Sequence, residues 1–289
     1  MFYRLRLWSV EALSLADHPA KPGPVYSLAT TPSGLLIAGV GSSVVIYKED
    51  ESGGLELVTQ IGGFSVVLDV SAVLSDEGRV VKIAVADLMR SVTLLGFDAE
   101  KQTLSTIARE LSPRWLSAAL LVDEDRVVFA DSDFHLGVLQ QNTGAADEDV
   151  IRLTNLAERY SGNFINRFRV GRLSSLAATD VVIFGCISGA IGLVASITEG
   201  EHTILSRLQN SLENMIGAVG GFDVKGFRSP SNLASTSRSS GAGSLIDGDI
   251  CEMLLELNAA DRKEALSCFD DVAEADAAVA VVQRLALLH

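Results

Sequence analysis

The sequence predicts a mainly β fold of the propeller type, with about four blades present, followed by a small C-terminal α-helical domain. Three observations predict it. One pattern occurs four times: an apolar strand, a turn of small or polar residues, and a second apolar strand. The copies are Gly34 to Lys48 (GLLIAGVGSSVVIYK), Arg79 to Phe97 (RVVKIAVADLMRSVTLLGF), Arg126 to Gln140 (RVVFADSDFHLGVLQ) and Asp180 to Ile197 (DVVIFGCISGAIGLVASI). Their starts lie 45, 47 and 54 residues apart, which is close to the length of one four-stranded blade. After Ile197 the apolar spacing changes from that of strands to that of helices. Residues 1–197 are therefore read as blades and 198–289 as the helical domain.

Each element follows from its local pattern. Phe2 to Val10 sets Tyr3, Leu5 and Leu7 against Arg4 and Arg6, as a strand with one solvated face does. Pro19, Pro22, Gly23 and Pro24 mark a loop, and Val25 to Ala29 opens the next unit. Leu55 to Gln60, Val66 to Leu74, Leu104 to Arg109 and Trp115 to Val122 supply the weaker strands that complete four per blade. Gln141 to Asp149 is a polar, acidic loop, and Leu153 to Tyr160 reads equally as a short helix or an irregular strand. Ile204, Leu205, Leu208, Leu212, Met215, Ile216 and Val219 form one helical stripe, which Gly220 and Gly221 end. Arg228 to Ser244 is rich in Ser and Gly and predicts a disordered loop. A second helix starts near Asp249, where Asp249 and Glu252 have the spacing of a capping box, with Met253, Leu254 and Leu257 forming its apolar side. Ala259 to Cys268 and Glu274 to Leu288 complete the domain, the last helix packing through Val282, Leu285 and Leu288.

Composition narrows the function classes. The 289 residues are 48% hydrophobic and 21% charged, the make-up of a globular chain. A mean hydropathy of +0.30 fits strands buried on both faces. The net charge of −14 opposes a broad basic face, so direct nucleic-acid binding by this chain alone is disfavoured. Cys186, Cys251 and Cys268 are sparse and form no CxxC, which predicts free thiols rather than disulfides or a zinc site. The first residues mix two arginines with apolar side chains and meet Glu11, unlike a secretory signal. Val181 to Thr198 carries no charge, but Gly185, Gly189 and Gly192 punctuate it in register with the repeat. A buried strand pair, not a membrane helix, is expected there.

No constellation supports catalysis. Asp123, Glu124 and Asp125 read as a solvated turn. Asp247 and Asp249 lack the spacing of a calcium loop and read as helix caps. His135, near Asp131 and Asp133, reads as a turn with surface groups rather than a metal or acid–base site. Gly39 to Val44 lacks the third glycine of a dinucleotide fingerprint, and Gly185 to Gly189 does not match a nucleophile elbow. The expectation is a non-enzyme with no cofactor and no metal.

Six strings carry a resemblance: VADLMRSVTLLGF (85–97), PRWLSAALLVDED (113–125), GNFINRF (162–168), FGCISGAIGLVASI (184–197), LIDGDICEMLLEL (245–257) and the closing RLALLH (284–289). In order and spacing they resemble the C-terminal end of the family of the damage-specific DNA-binding protein large subunit. Its paralogues are the A subunit of the cleavage and polyadenylation specificity factor and subunit 3 of splicing factor 3b. The DLMRS turn, the tryptophan of PRW and the Leu-His end look most like the damaged-DNA-binding branch. Family members have three seven-bladed propellers and a helical C-terminal domain. The resemblance covers the second part of the third propeller plus that domain. It implies a partial seven-bladed β-propeller: a fragment, an incomplete gene model or a split subunit, completed by the remaining propellers of the same protein or a companion chain.

The resemblance also implies a site. Family members receive a helical segment of substrate-receptor proteins in a cleft between the first and third propellers. Matched by motif, the residues here are Tyr26 in VYS, Arg90 in DLMRS, Trp115 in PRW, Phe164 and Asn166 in GNFIN, and Ile187 in CISG. Tyr, Trp and Arg are the types that dominate interface energetics. By residue type alone, without the resemblance, a place in the core is the favoured reading of Tyr26, Trp115 and Phe164. Arg167 stands where the family usually has an apolar residue. The function implied is a non-enzymatic adaptor that presents substrate receptors to a cullin–RING ubiquitin ligase. It would be nuclear and also cytoplasmic, with no membrane contact and nucleic acid reached through the complex. An RNA-processing scaffold of the same family and an unrelated propeller enzyme stay open as alternatives.

Overall fold

A computed structural model describes residues 5–8, 15–18, 23–31, 33–50, 54–75, 80–142, 151–174, 179–216, 224–229 and 245–289. They form two compact units, Met1–Ala157 with Gly162–Arg167, and Glu158–Ser161 with Phe168–His289. Val219 to Gly221, residues 143–149 of the acidic loop and residues 230–244 of the Ser/Gly-rich loop lie outside the described residues.

The first unit begins with an antiparallel hairpin, β1 (Leu5–Trp8) and β2 (Leu15–His18). Three four-stranded blades follow. The first is β3 (Val25–Thr30), β4 (Leu35–Val40), β5 (Ser43–Glu49) and β6 (Leu55–Gly62). The second is β7 (Val67–Leu74), β8 (Val80–Asp87), β9 (Ser91–Asp98) and β10 (Thr103–Arg109). The third is β11 (Leu116–Leu121), β12 (Arg126–Asp131), β13 (His135–Gln141) and β14 (Ile151–Tyr160). The segment that read equally as helix or strand is thus a strand, β14. A short parallel pairing, Ala108 with Ile151 and Arg109 with Arg152, joins the outer strands of the second and third blades.

The middle strands are buried on both faces, which explains their continuous apolar runs. Ile83, Val85, Leu95 and Phe97 pack with Ile37, Val44 and Ile46 of the first blade. Ala84, Ala86, Val92 and Leu94 pack with Leu116, Leu121, Val127 and Phe129 of the third. Each large side chain so buried contributes about 1.5–3 kcal/mol. Polar ties reinforce the stacking. The Ser27 hydroxyl donates to Asp69 (2.8 Å), and the Leu121 N–H donates to the Ser71 hydroxyl (2.7 Å). Lys82 reaches the Glu124 carbonyl (2.9 Å) and the Asp125 carboxylate (3.1 Å).

The inner strands of all three blades share an irregularity. The register slips between Val25 and Ser27, between Val67 and Asp69, and between Leu116 and Ala118. Each slip is a β-bulge near the start of the strand, a device that re-aims a side chain.

The second unit contains a three-stranded sheet and the helices. The sheet is β15 (Ile165–Gly171, which starts in the first unit), β16 (Val181–Cys186) and β17 (Ile191–Val194). The uncharged run Val181 to Thr198 is therefore the predicted strand pair. Among the described residues no helix is long and apolar enough to cross a membrane. The helices are α1 (Glu199–Ile216), α2 (Val224–Arg228), α3 (Gly248–Glu256), α4 (Ala259–Ala265) with a 3-10 turn at Leu266–Cys268, and α5 (Val272–Ala286). Leu205, Leu208 and Leu212 of the predicted stripe pack with Ile250, Leu254, Ala278 and Val282. Helices begin at Glu199, but β16 and β17 belong to the same compact unit as the helices. The reason is packing: Val181, Ile183 and Leu193 meet Leu285 and Leu288 at the end of the chain.

One helix start departs from expectation. The N-cap of α3 is Asp247, not Asp249, and its carboxylate makes no cap hydrogen bond. It pairs instead with Arg159 and lies 3.7 Å from Arg228. Charge-assisted pairing of a buried carboxylate outweighs a cap bond to a backbone N–H. A reciprocal capping box does exist, at the start of α1. Thr198 N–H donates to Glu201 (2.8 Å), and Glu201 N–H donates to the Thr198 hydroxyl (3.3 Å).

Candidate partner-binding rim

In an antiparallel blade, the start of the inner strand lies at the same end as the turn between the second and third strands. The register shows this directly: Val25 faces Val40, Val67 faces Asp87, and Leu116 faces Asp131. Tyr26, Arg90 and Trp115 all fall at that end of their blades, in the first unit. Phe164 and Asn166, at the start of β15, belong to the same unit. Phe164 reaches the rim through an edge-to-face contact with Phe134, with ring centroids 6.3 Å apart. Ile187 occupies the β16–β17 turn of the second unit and is 70% exposed.

Local structure explains how each side chain is displayed. Tyr26 is the extra residue of the first bulge, flanked by Ser27, whose hydroxyl is buried against Asp69. The tyrosine is left 47% exposed. Trp115 follows a fully buried arginine, so chain alternation turns it outward, 56% exposed. Its carbonyl accepts from the Ser132 N–H (2.8 Å), which fixes it to the neighbouring turn. Arg90 sits in a turn built by Asp87, whose carboxylate accepts from the N–H groups of Ser65 (2.7 Å) and Met89 (3.0 Å). The guanidinium donates to the Gly63 carbonyl (2.8 Å), which holds its plane while leaving it exposed. Phe164 is half-buried and Asn166 exposed, either side of the buried Ile165. Arg167 points to Asp69 (2.6 Å) and so ties β15 to the inner strand of the second blade.

Beneath the rim lies a buried charged network that the sequence reading assigned to the surface. Asp131 ends β12 and His135 starts β13, on either side of the turn, and both are fully buried. The Asp131 carboxylate accepts from the His135 N–H (3.0 Å) and meets His135 Nδ1 at 3.1 Å. Arg114 lies 3.6 Å from Asp131 and bonds Glu110 at 2.9 Å, with its guanidinium 4.7 Å from the Phe129 ring centre. Glu110 in turn accepts from the Ser91 hydroxyl. Burial pushes the Asp131 carboxyl up, yet the hydrogen bonds and charge of His135 and the charge of Arg114 outweigh it and hold it below the usual carboxylate range. The solvated reading failed because a period-2 strand end gives no sign that a neighbouring blade covers it.

Two residues outside the predicted set join the rim. Met89 is 49% exposed beside Arg90, and Phe134 is 37% exposed in the turn of the third blade. Phe134 has a φ of +65°, a left-handed conformation that costs an L-residue about 1–2 kcal/mol. The sequence signal for Phe134 was its position in DSDFH, two residues before the apolar strand resumes, but nothing local distinguishes it from a core phenylalanine. What this rim can do is bind. Exposed tyrosine and tryptophan offer apolar area at low entropic cost, and Arg90 and Asn166 offer directional polar contacts.

Four-stranded antiparallel blades whose inner-strand ends present aromatic and cationic side chains define a propeller-type protein. Residues 13–256 match the model of the CPSF A subunit region, and the chain belongs to that family. It is 33% identical over 265 residues to DNA damage-binding protein 1 of Solanum lycopersicum, covering 88% of this chain and 24% of that protein. It is 33% identical over 255 residues to DNA damage-binding protein 1a of Arabidopsis thaliana (85% and 23%). With DNA damage-binding protein 1 of Oryza sativa subsp. japonica it shares 32% over 266 residues (88% and 24%). The chain thus spans about a quarter of the length of the curated relatives it matches. The family read from the six sequence strings is the family found.

Proposed function

We propose that this chain is a non-enzymatic adaptor that presents substrate receptors to a cullin–RING ubiquitin ligase in the response to DNA damage. Its rim receives a helical segment of the receptor, and its other partners are the remaining propellers, in the same protein or a companion chain. Nucleic acid is reached through the receptor, in keeping with a net charge of −14. The nucleus is its main site of action, with the cytoplasm a second one. The observation that carries this reading is the clustering of Tyr26, Arg90, Trp115, Phe164 and Asn166 at one end of the blades, all at least partly exposed. The names of the relatives support the damage-response context. Ile187 belongs to the proposed set as an exposed apolar turn residue.

The test is quantitative affinity purification of the tagged chain from its own cells, wild type against Arg90→Ala/Trp115→Ala. Two interface anchors of this type are worth at least about 2 kcal/mol together, so recovery of receptor subunits should fall at least about tenfold. Unchanged recovery from the double variant defeats the docking reading. The matched model is named for the CPSF A subunit region, which favours a second reading, an RNA-processing scaffold. Recovery of cleavage or splicing factors without a cullin would select it.

A further inference from the structure

We infer that Phe134 is a specificity-determining residue of this rim, forming with Phe164 an aromatic seat for one apolar side chain of a docking helix. The inference rests on the docking reading above and goes beyond it in naming a residue and its ligand chemistry.

Three hairpin turns are of equal length. Register pairs Ala86 with Val92, Ala130 with Leu136 and Gly185 with Ile191. Three residues separate the next positions inward, Asp87 and Ser91, Asp131 and His135, and Cys186 and Ala190, and the third of them is Arg90, Phe134 and Gly189 respectively. The last two turns close alike. Phe134 N–H donates to the Asp131 carbonyl (3.2 Å), and Gly189 N–H donates to the Cys186 carbonyl (3.0 Å). Both third residues are left-handed, with φ of +65° and +88°. Glycine takes that conformation without strain, and a phenylalanine does not. The third blade thus holds a strained bulky aromatic where the β16–β17 turn uses glycine, whereas the second blade takes its left-handed residue one place later, at the small Ser91 (φ +68°).

The turn itself does not need the ring. It is nucleated by Asp131, whose carboxylate accepts from the N–H groups of Asp133 (2.9 Å) and His135 (3.0 Å). The ring stands 37% exposed and meets Phe164 at an interplanar angle of 79°. It also occupies the turn position that Arg90 holds in the second blade, so the rim sets a cation and an aromatic at matching places. An edge-to-face pair at an exposed rim offers two ring surfaces to a Leu, Ile or Phe side chain. Strain retained at such a place points to function.

The experiment compares wild type, Phe134→Gly, Phe134→Leu and Trp115→Ala in the full chain. The probe is an amphipathic helical peptide selected on the wild-type chain from a library with one fixed leucine anchor. Phe134→Gly is expected to leave Tm unchanged or raise it, while peptide affinity falls about tenfold. Phe134→Leu should recover part of that loss. Replacing the peptide's leucine with alanine should weaken wild type but have little further effect on Phe134→Gly, as a double-mutant cycle requires. A lowered Tm with unchanged affinity in Phe134→Gly overturns the inference and makes the ring structural. If Trp115→Ala weakens binding and Phe134→Gly does not, this inference fails while the docking reading stands. If Trp115→Ala also leaves affinity unchanged, the docking reading fails with it.

Discussion

At the scale of single residues, Arg114 decides more than its position suggests. It follows Pro113 in a loop, where an arginine reads as solvated, yet its side chain is 1% exposed. Its guanidinium joins Glu110, from the end of the second blade, to Asp131 of the third. It also places Trp115 outward on the next residue. Removing one partner of a buried ion pair leaves the other charges uncompensated, at about 3–5 kcal/mol. Arg114→Met is therefore expected to lower unfolding free energy by roughly that amount in urea titration, with little change in far-UV dichroism. A loss within about 0.5 kcal/mol, the range of ordinary surface substitutions, would mean that the network contributes little. Of the candidate site, Tyr26, Trp115 and Arg90 were legible by type and motif. Their exposure was not, because aromatic residues at strand starts suit a core equally well. Phe134 was not distinguishable from a core phenylalanine, since its exposure is a tertiary outcome.

At the scale of elements, the blade hairpins were readable because their causes are local. The turn residues sit between two apolar strands, and each middle strand is apolar on both faces. What was not local is how closely the strands approach. A Cβ at Gly137 of β13 would lie 2.5 Å from the Phe129 ring and 2.9 Å from the Ala157 carbonyl oxygen. Neither the buried ring nor the backbone can give way cheaply. Gly137→Ala should therefore destabilise by about 1–3 kcal/mol through overpacking, seen as a lower Tm by calorimetry. An unchanged Tm would show that β13 and β14 can separate without cost. In the helices, the same distinction held for caps. The capping box at Thr198 and Glu201 follows a sequence rule, whereas Asp247 at the start of α3 was taken by Arg159 from β14.

At the scale of the whole molecule, stability should depend on acid pH through the buried network. Asp131 has its folded pKa held below the ordinary value, by His135 and Arg114 against the opposing effect of burial. Its contribution is thus fully present above the unfolded carboxylate value of about 3.9 and is lost as pH falls through the lower folded value. Wild type should lose stability below about pH 4. Asp131→Asn should be less stable near neutrality, with a shallower dependence below pH 4, measured by urea midpoints across pH. An equally steep dependence in both proteins would place the acid sensitivity elsewhere.

The amino-acid sequence by itself determined the repeating hairpin unit, the change to helices and the family. These rest on interactions between residues close along the chain, and on side-chain period, which is written in one dimension. Only the tertiary structure decided which strand ends share a rim, that Asp131, His135 and Arg114 are sealed between blades, and that β16 and β17 pack with the last helix. Those outcomes depend on which surfaces meet after the chain folds back on itself. The bulge at Tyr26 and the turn at Phe134 arise within neighbouring strands, but the exposure of both rings is decided by what packs beside them, and burial has no period.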